Sequence, residues 1–256
     1  MDIKKIGDLV QQGSKPEYLL WVGCAGSFDA RAKKVVQALA KILQHAQVDF
    51  AVLGQEEKCT GDAARRAGNE FLFQMLALQN IETMNGYGVK KIITTCPHCY
   101  NTLKNEYPTL GGHYQVFHHT QVIADLLATG QLKIRQSMDA VAYHDSCYLG
   151  RINRIYDVPR NILHQLVEEL KEAEHQRENS LCCGAGGAQM FKEEEPGLQR
   201  MNQFRTKELL STKVKKIVAN CPFCITMIQD GLKAENKQDE VMVYDLAELV
   251  IQNMDR

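Results

Sequence analysis

The sequence contains no apolar run approaching the roughly 18 residues that cross a bilayer. Its amino-terminal MDIKKIGDLVQQG lacks the apolar stretch of a secretory signal. Neither charge is in excess: 30 Lys and Arg stand against 31 Asp and Glu, for a formal net charge of −1. A nucleic-acid partner therefore has no electrostatic footprint here. No Ser-His-Asp or paired-carboxylate arrangement stands out, and no flavin or dinucleotide fingerprint is present. The closely spaced cysteine run of bacterial ferredoxins is missing too. Together these absences predict a soluble, cytoplasmic chain, membrane-associated at most through partners. They leave any substrate oxidation to another polypeptide.

What the sequence does have is nine cysteines in register. Cys24, Cys59, Cys96 and Cys99 are separated by steps of 35, 37 and 3. Cys147, Cys182, Cys221 and Cys224 repeat steps of 35, 39 and 3, with Cys183 directly after Cys182. The flanking residues repeat as well. WVGCAGS around Cys24 parallels YHDSCYLG around Cys147, and CTGDAARRAG parallels CCGAGGAQMF. KKIITTCPHC parallels KKIVANCPFC. Cysteines placed by packing alone would not fall into register across two halves. The pattern predicts two related metal or cluster sites on duplicated domains, assigned to residues 1–130 and 140–256 with a linker over 131–139. An odd cysteine count with Cys-x-x-Cys pairs in a reducing compartment favours metal over disulfides.

The hydrophobic pattern alternates strand and helix. YLLWVG (18–23), VDFAVL (48–53), KKIITTC (90–96) and YQVFH read as strands of the first half. Apolar residues at 35, 38, 39, 42 and 43 mark one helix face. A long helix over 69–84 is expected to turn Phe71, Leu72, Met75, Leu76 and Leu78 mostly toward a core. Helices begin at Pro97 and Pro222, where proline suits a first turn. The helix QVIADLLA ends at Gly130. In the second half AVAYHD, KKIVANC and VMVYD are strands, with helices near 159–166 and at the carboxyl terminus. VEELKEAEH (167–175) looks helical by propensity, yet the repeat aligns it with VDFAVL and predicts a polar edge strand. The fold class is therefore α/β: two duplicated domains with mostly parallel sheets, and Cys24, Cys96, Cys147 and Cys221 at strand carboxyl ends.

Cys-x-x-Cys at a strand-to-helix turn lets two sulfurs share one side of a metal, next to backbone N–H groups that stabilise thiolate. Gly184, Gly186 and Gly187 allow the backbone to approach a bulky inorganic core. Zinc takes four ligands, as does a cubane four-iron cluster, so five cysteines suggest a non-standard iron–sulfur cluster or one idle thiol. CCGAGG lacks the lysine of a phosphate-binding loop, which argues against nucleotide binding.

The order Cys, long gap, Cys-Cys-Gly, long gap, Cys-x-x-Cys resembles the cysteine-rich CCG domain. That domain occurs in tandem in one of the subunits of heterodisulfide reductase and in iron–sulfur subunits of glycolate, lactate and glycerol-3-phosphate oxidising systems. WVGCAGSFDARAKK, CTGDAARRAGNEF, CPHCYNTLKNEYP and CCGAGGAQMFKEE look most like iron–sulfur proteins that accompany acyl-CoA dehydrogenases and electron-transfer flavoprotein. The resemblance implies [4Fe-4S] binding, noncubane in the second domain through Cys147, Cys182, Cys183, Cys221 and Cys224. It also implies a ferredoxin-like iron–sulfur partner and a flavoprotein dehydrogenase or electron-transfer flavoprotein as electron source. The first domain departs from the pattern: Thr60 stands where Cys183 stands. Its Cys24, Cys59, Cys96 and Cys99 would hold a cubane [4Fe-4S] cluster or zinc.

The expected function is an electron-transfer subunit of a multisubunit oxidoreductase, inactive alone, between a flavoprotein and a quinone or other carrier. The alternatives are a zinc-stabilised structural subunit and a heterodisulfide-reductase-like catalytic subunit, the latter weakened by the lost ligand at Thr60. His98 and His144 read as solvent-facing or as neighbours of ligands rather than ligands. His118 and His119 read as turn and helix-cap residues. Arg65, Arg66 and Lys192 to Glu195 read as solvated surface.

Overall fold

A computed structural model describes residues 3–193 and 197–255. The chain divides into two compact units, Met1–Leu132 and Lys133–Arg256. In the first, α1 (Ile6–Gln11) precedes β1 (Tyr18–Trp21), α2 (Gly23–Phe28), α3 (Ala30–His45) and β2 (Phe50–Ala51). Then come α4 (Asp62–Arg66), α5 (Glu70–Gly86), β3 (Lys91–Thr94), α6 (Pro97–Asn101), β4 (Gln115–His118) and α7 (His119–Ala128). Its sheet is parallel throughout, in the order β2-β1-β3-β4.

The second unit contains β5 (Ser137–His144), α8 (Asp157–Leu166), β6 (Val167–Lys171), α9 (Met201–Ser211), β7 (Lys216–Ala219), α10 (Pro222–Ala234), β8 (Met242–Tyr244) and α11 (Leu246–Asn253). Its order, β6-β5-β7-β8, repeats the first sheet strand for strand, again all parallel. The two expected α/β domains with parallel sheets are both present. Residues 131–139, read as a linker, are divided at Leu132, and from Ser137 onward they belong to β5.

Each central strand is an apolar run buried on both faces, as parallel sheets covered by helices require. Leu19, Leu20 and Trp21 of β1, Ile92 and Ile93 of β3, and Ile217 and Val218 of β7 are all at 0–1% exposure. The polar segment 167–171 is the edge strand β6, carrying Glu168 and Glu169 outward beside buried Val167. The α3 face at 35, 38, 39, 42 and 43 is buried as its spacing predicts, and Asp29 caps that helix by accepting from the Ala32 N–H at 2.7 Å.

α5 corrects an expectation. Phe71 (77% exposed), Met75 and Leu78 point to solvent with Leu72, while Phe73, Ala77, Asn80, Ile81 and Met84 form the buried face. Apolar residues occupy nearly every side of this helix, so its composition favours no one face over another. The buried set has the i, i+4, i+7, i+8, i+11 spacing of a helix face.

Candidate metal centre

Each set of cysteines collects at the carboxyl end of its own sheet. Cys24 and Cys147 follow β1 and β5, Cys96 and Cys221 follow β3 and β7, and Cys59 and Cys182 lie on the connections leaving β2 and β6. Pro97 and Pro222 open α6 and α10, so Cys96 and Cys221 stand at the helix starts and Cys99 and Cys224 one turn in. All nine thiols are free of disulfide bonds. Cys96, Cys99, Cys183, Cys221 and Cys224 are buried; Cys24, Cys59, Cys147 and Cys182 are half-buried and form the open side of each site.

In the second unit the sulfurs touch in sequence. Cys147 bonds Cys182, Cys182 bonds Cys183, Cys183 and Cys224 lie 3.3 Å apart, and Cys224 bonds Cys221. Five thiols, each linked to the next, form a donor set suited to a soft metal or iron–sulfur cluster. The protons of the set are shared unequally. The thiols of Cys147 and Cys183 and the Gly184 N–H all donate to Cys182, which pulls its pKa well below the ordinary thiol value. Cys147 is pushed up by donating to Cys182, then by burial.

The first unit repeats this geometry with one change. Cys24 donates to Cys59, which lowers the Cys59 thiol to about 6. The Gly61 N–H reaches Cys59 Sγ at 3.4 Å, as the Gly184 N–H reaches Cys182 Sγ at 3.3 Å. Both glycines have left-handed backbones, φ +86° and +91°, which turn the amide back onto the sulfur two residues earlier. Thr60 Oγ1 stands 3.9 Å from Cys99 Sγ, in the relation that Cys183 bears to Cys224. The Thr60 hydroxyl thus replaces a sulfur in place, leaving four thiols.

Several groups around the sites carry no signature in the sequence. Glu57 accepts from the N–H groups of Val22 and Gly23 at 3.0 and 2.6 Å, and burial raises its carboxyl to about 7. His98, read as solvent-facing or beside a ligand, is buried and bonds Asp62 through Nδ1 at 2.8 Å. Burial alone would raise Asp62, but His98 and Arg66 outweigh it and hold that carboxyl below its usual range. Arg65 and Arg66 are not merely solvated: both bond Glu106, and Arg66 also bonds Asp62. Of the segment 192–195, Glu194 and Glu195 lie outside the described residues.

In the second unit Arg160, 3% exposed, makes two 2.7 Å bonds to Asp145 and two more to Glu172. Asp145 also accepts from the Arg177 N–H, and its carbonyl accepts from Ser180 Oγ, which ties down the approach to Cys182. His144 is buried, and burial followed by the Arg205 charge lowers its imidazole to about 3. Partners 15 to 61 residues apart leave no periodicity to find. His118 and His119 are buried at the start of α7, where the His118 N–H donates to Gln121 Oε1, in keeping with a helix-cap role.

The cysteine-rich domain profile named CCG matches residues 18–104 and again 141–229, each time taking in all the cysteines of one unit but not its last strand, β4 or β8. The chain belongs to the CCG cysteine-rich domain family. Within it, the chain is 49% identical to the EtfAB:quinone oxidoreductase of Syntrophomonas wolfei, over 96% of this chain and 36% of that protein. It is 46% identical to the probable iron–sulfur-binding oxidoreductase FadF of Bacillus subtilis, over 99% of this chain and 36% of that one. It is 31% identical to a subunit of the dihydromethanophenazine:CoB–CoM heterodisulfide reductase of Methanosarcina barkeri, over 92% of this chain and 58% of that polypeptide. This tandem CCG chain therefore spans little more than a third of the length of the first two relatives. A hypothetical protein from Helicobacter pylori shares the fold at 10% identity and a TM-score of 0.58, over 95% of this chain and 50% of that one. Among the described residues no helix is long and apolar enough to cross a membrane.

Proposed function

We propose that this tandem CCG chain is the iron–sulfur electron-transfer part of an oxidoreductase, carrying electrons between a flavoprotein and a quinone or other carrier. The observation that carries the reading is the run of five touching thiols in the second unit. In this reading Cys147, Cys182, Cys183, Cys221 and Cys224 hold a four-iron cluster of noncubane form. Cys24, Cys59, Cys96 and Cys99 hold a cubane [4Fe-4S] cluster or zinc, since four sulfurs satisfy either. A bound cluster supplies one-electron redox chemistry. The protein's part is to supply thiolates, to aim the Gly61 and Gly184 N–H groups at sulfur, and to leave one side of each site open.

The names of the S. wolfei and B. subtilis relatives support a role beside electron-transfer flavoprotein and quinone. In this reading a ferredoxin-like iron–sulfur partner completes the assembly. A relative from Chromohalobacter salexigens, 39% identical, is described as a probable membrane-anchored ferredoxin. The protein itself works in the cytoplasm, held to a membrane through such partners.

Iron and acid-labile sulfide measured on anaerobically purified, reconstituted protein test the reading. Four irons and matching sulfide at the second site are expected from the cluster chemistry, at about four of each. Uptake of zinc alone would refute it in favour of a structural metal.

A further inference from the structure

His144 ends β5 and is 1% exposed. Its Nδ1 accepts a 3.1 Å hydrogen bond from Arg205 Nε. A guanidinium offers donors and no acceptor, so Nδ1 must present its lone pair to Arg205. Arg205 cannot readily turn away: it is fully buried, and its Nη1 donates to the His175 carbonyl and the Glu208 carboxylate. A neutral imidazole whose Nδ1 accepts carries its proton on Nε2. That Nε2 is buried and has no hydrogen-bond partner among the described residues.

The ring is also close to sulfur. A ring nitrogen of His144 and the Sγ atoms of Cys183 and Cys224 all lie within 4.8 Å of one another. Proximity alone would suggest a histidine ligand, but a ligating nitrogen must offer a lone pair. In His144 one lone pair is taken by Arg205 and the other nitrogen bears hydrogen. The ring can donate toward sulfur; it cannot coordinate without giving up Arg205.

The first unit offers an independent instance. Trp21 ends β1 as His144 ends β5, pairing with Thr94 where His144 pairs with Ala219. Its indole Nε1 is buried and likewise has no partner among the described residues. A Cβ placed on Gly23 would lie 3.4 Å from Cys99 Sγ and 4.0 Å from Trp21 Nε1, which puts the indole N–H on the cysteine side of the strand. Indole nitrogen is a donor only. Two unrelated side chains therefore bring a buried, unused N–H to the same strand position.

We propose that Trp21 and His144 are fixed N–H donors to the sulfur-rich group held by their own unit, and that His144 is not one of its ligands. The inference rests on the iron–sulfur reading above. Both residues are positioning residues: an N–H bond to sulfur withdraws electron density and favours the reduced state.

The test uses the full chain, loaded anaerobically, with iron and sulfide measured first. Protein carrying 15N-histidine is compared with His144→Gln and His144→Phe by pulsed EPR of the reduced state and by redox titration. The wild-type minus His144→Gln difference should contain a weak nitrogen coupling, of the kind a hydrogen bond transmits. His144→Phe should keep its iron and sulfide while its midpoint potential moves to a more negative value and one exchangeable-proton coupling disappears. His144→Gln, whose carboxamide still carries N–H, should return the potential toward wild type. A strong coupling from directly bound nitrogen would overturn the proposal, and so would an unchanged potential in His144→Phe. If His144→Phe fails to fold, the wild-type nitrogen coupling decides alone, and its absence counts against the donor. Wild-type protein that binds no iron and sulfide would instead sink the iron–sulfur reading, a failure visible before any variant is compared.

Discussion

Replacing Arg160 with methionine removes the charge that faces Asp145 while keeping most of the side chain's apolar volume. Asp145 is 3% exposed and receives two 2.7 Å bonds from Arg160; among the described residues its carboxylate keeps the Arg177 N–H once that partner is gone. Removing one member of a buried, bidentate pair costs about 3–5 kcal/mol, because the remaining carboxylate stays desolvated. Glu172 is less buried and can turn to water, so its loss adds little. Against a total stability of about 5–15 kcal/mol for such a domain, Arg160→Met should shift the urea midpoint of the second unit strongly. The carboxylate would also be driven to protonate, so the deficit should shrink as pH falls toward the acid range. Because the Asp145 carboxylate holds the Arg177 N–H and its carbonyl holds the Ser180 hydroxyl, just before Cys182, iron retention in the second unit should fall in parallel. The measurement is a double-mutant cycle of Arg160→Met, Asp145→Leu and the pair, followed by equilibrium urea unfolding at neutral pH. The pair should be less destabilised than Arg160→Met alone. A single-variant loss under about 1 kcal/mol, or a double variant that costs the sum of its parts, would refute the buried-pair reasoning.

Gly61→Ala should destabilise the first unit by about 2–4 kcal/mol: φ is +86° and the new Cβ would fall 2.9 Å from Phe73 Cδ2 and 3.1 Å from its Cα. Gly184→Ala, whose nearest neighbours are at 3.3 Å, should cost less, and calorimetry showing the reverse order would reject the steric argument. Glu57 binds its proton more tightly folded, at about 7, than in an ordinary unfolded chain at 4.5. Its contribution to stability is therefore greatest below about pH 4.5 and is lost as pH rises through about 7, a change of at most about 3 kcal/mol. In metal-free protein the difference between wild type and Glu57→Gln across that range isolates this carboxyl from the neighbouring thiols; equal slopes would refute it. Thr60→Ala should keep the metal content of the first unit while Cys59→Ser empties or cripples it, as metal analysis will show; metal loss in Thr60→Ala would mean the hydroxyl is itself essential for binding.

The architecture was legible largely because the sequence says it twice. β6 is the clearest case: 167–171 is a helix by propensity and a strand by alignment with β2, and the second reading holds because Val167 can be buried against β5 while its neighbours face water. The cysteine register likewise aligns Thr60 with Cys183, and in the structure Thr60 faces Cys99 as Cys183 faces Cys224. What the repeat could not reveal is what it does not repeat. Glu57 has no carboxylate counterpart, since Ser180 stands at its aligned position, and Arg160 and Arg205 bond residues brought near only by the fold. The α5 error has a different origin. With apolar side chains on every face, the buried side is decided by contact with the Gly61 turn, where Phe73 packs, and not by spacing.

The parallel order of each sheet has a practical corollary for anyone hoping to borrow a site. Each cysteine set is drawn from three separate strand exits, more than seventy residues apart from first to last. No short peptide excised from either half keeps more than the Cys-x-x-Cys pair or the Cys182–Cys183 doublet. The smallest portable piece is a complete four-stranded unit, so grafting these centres onto another scaffold means transplanting a domain and not a motif.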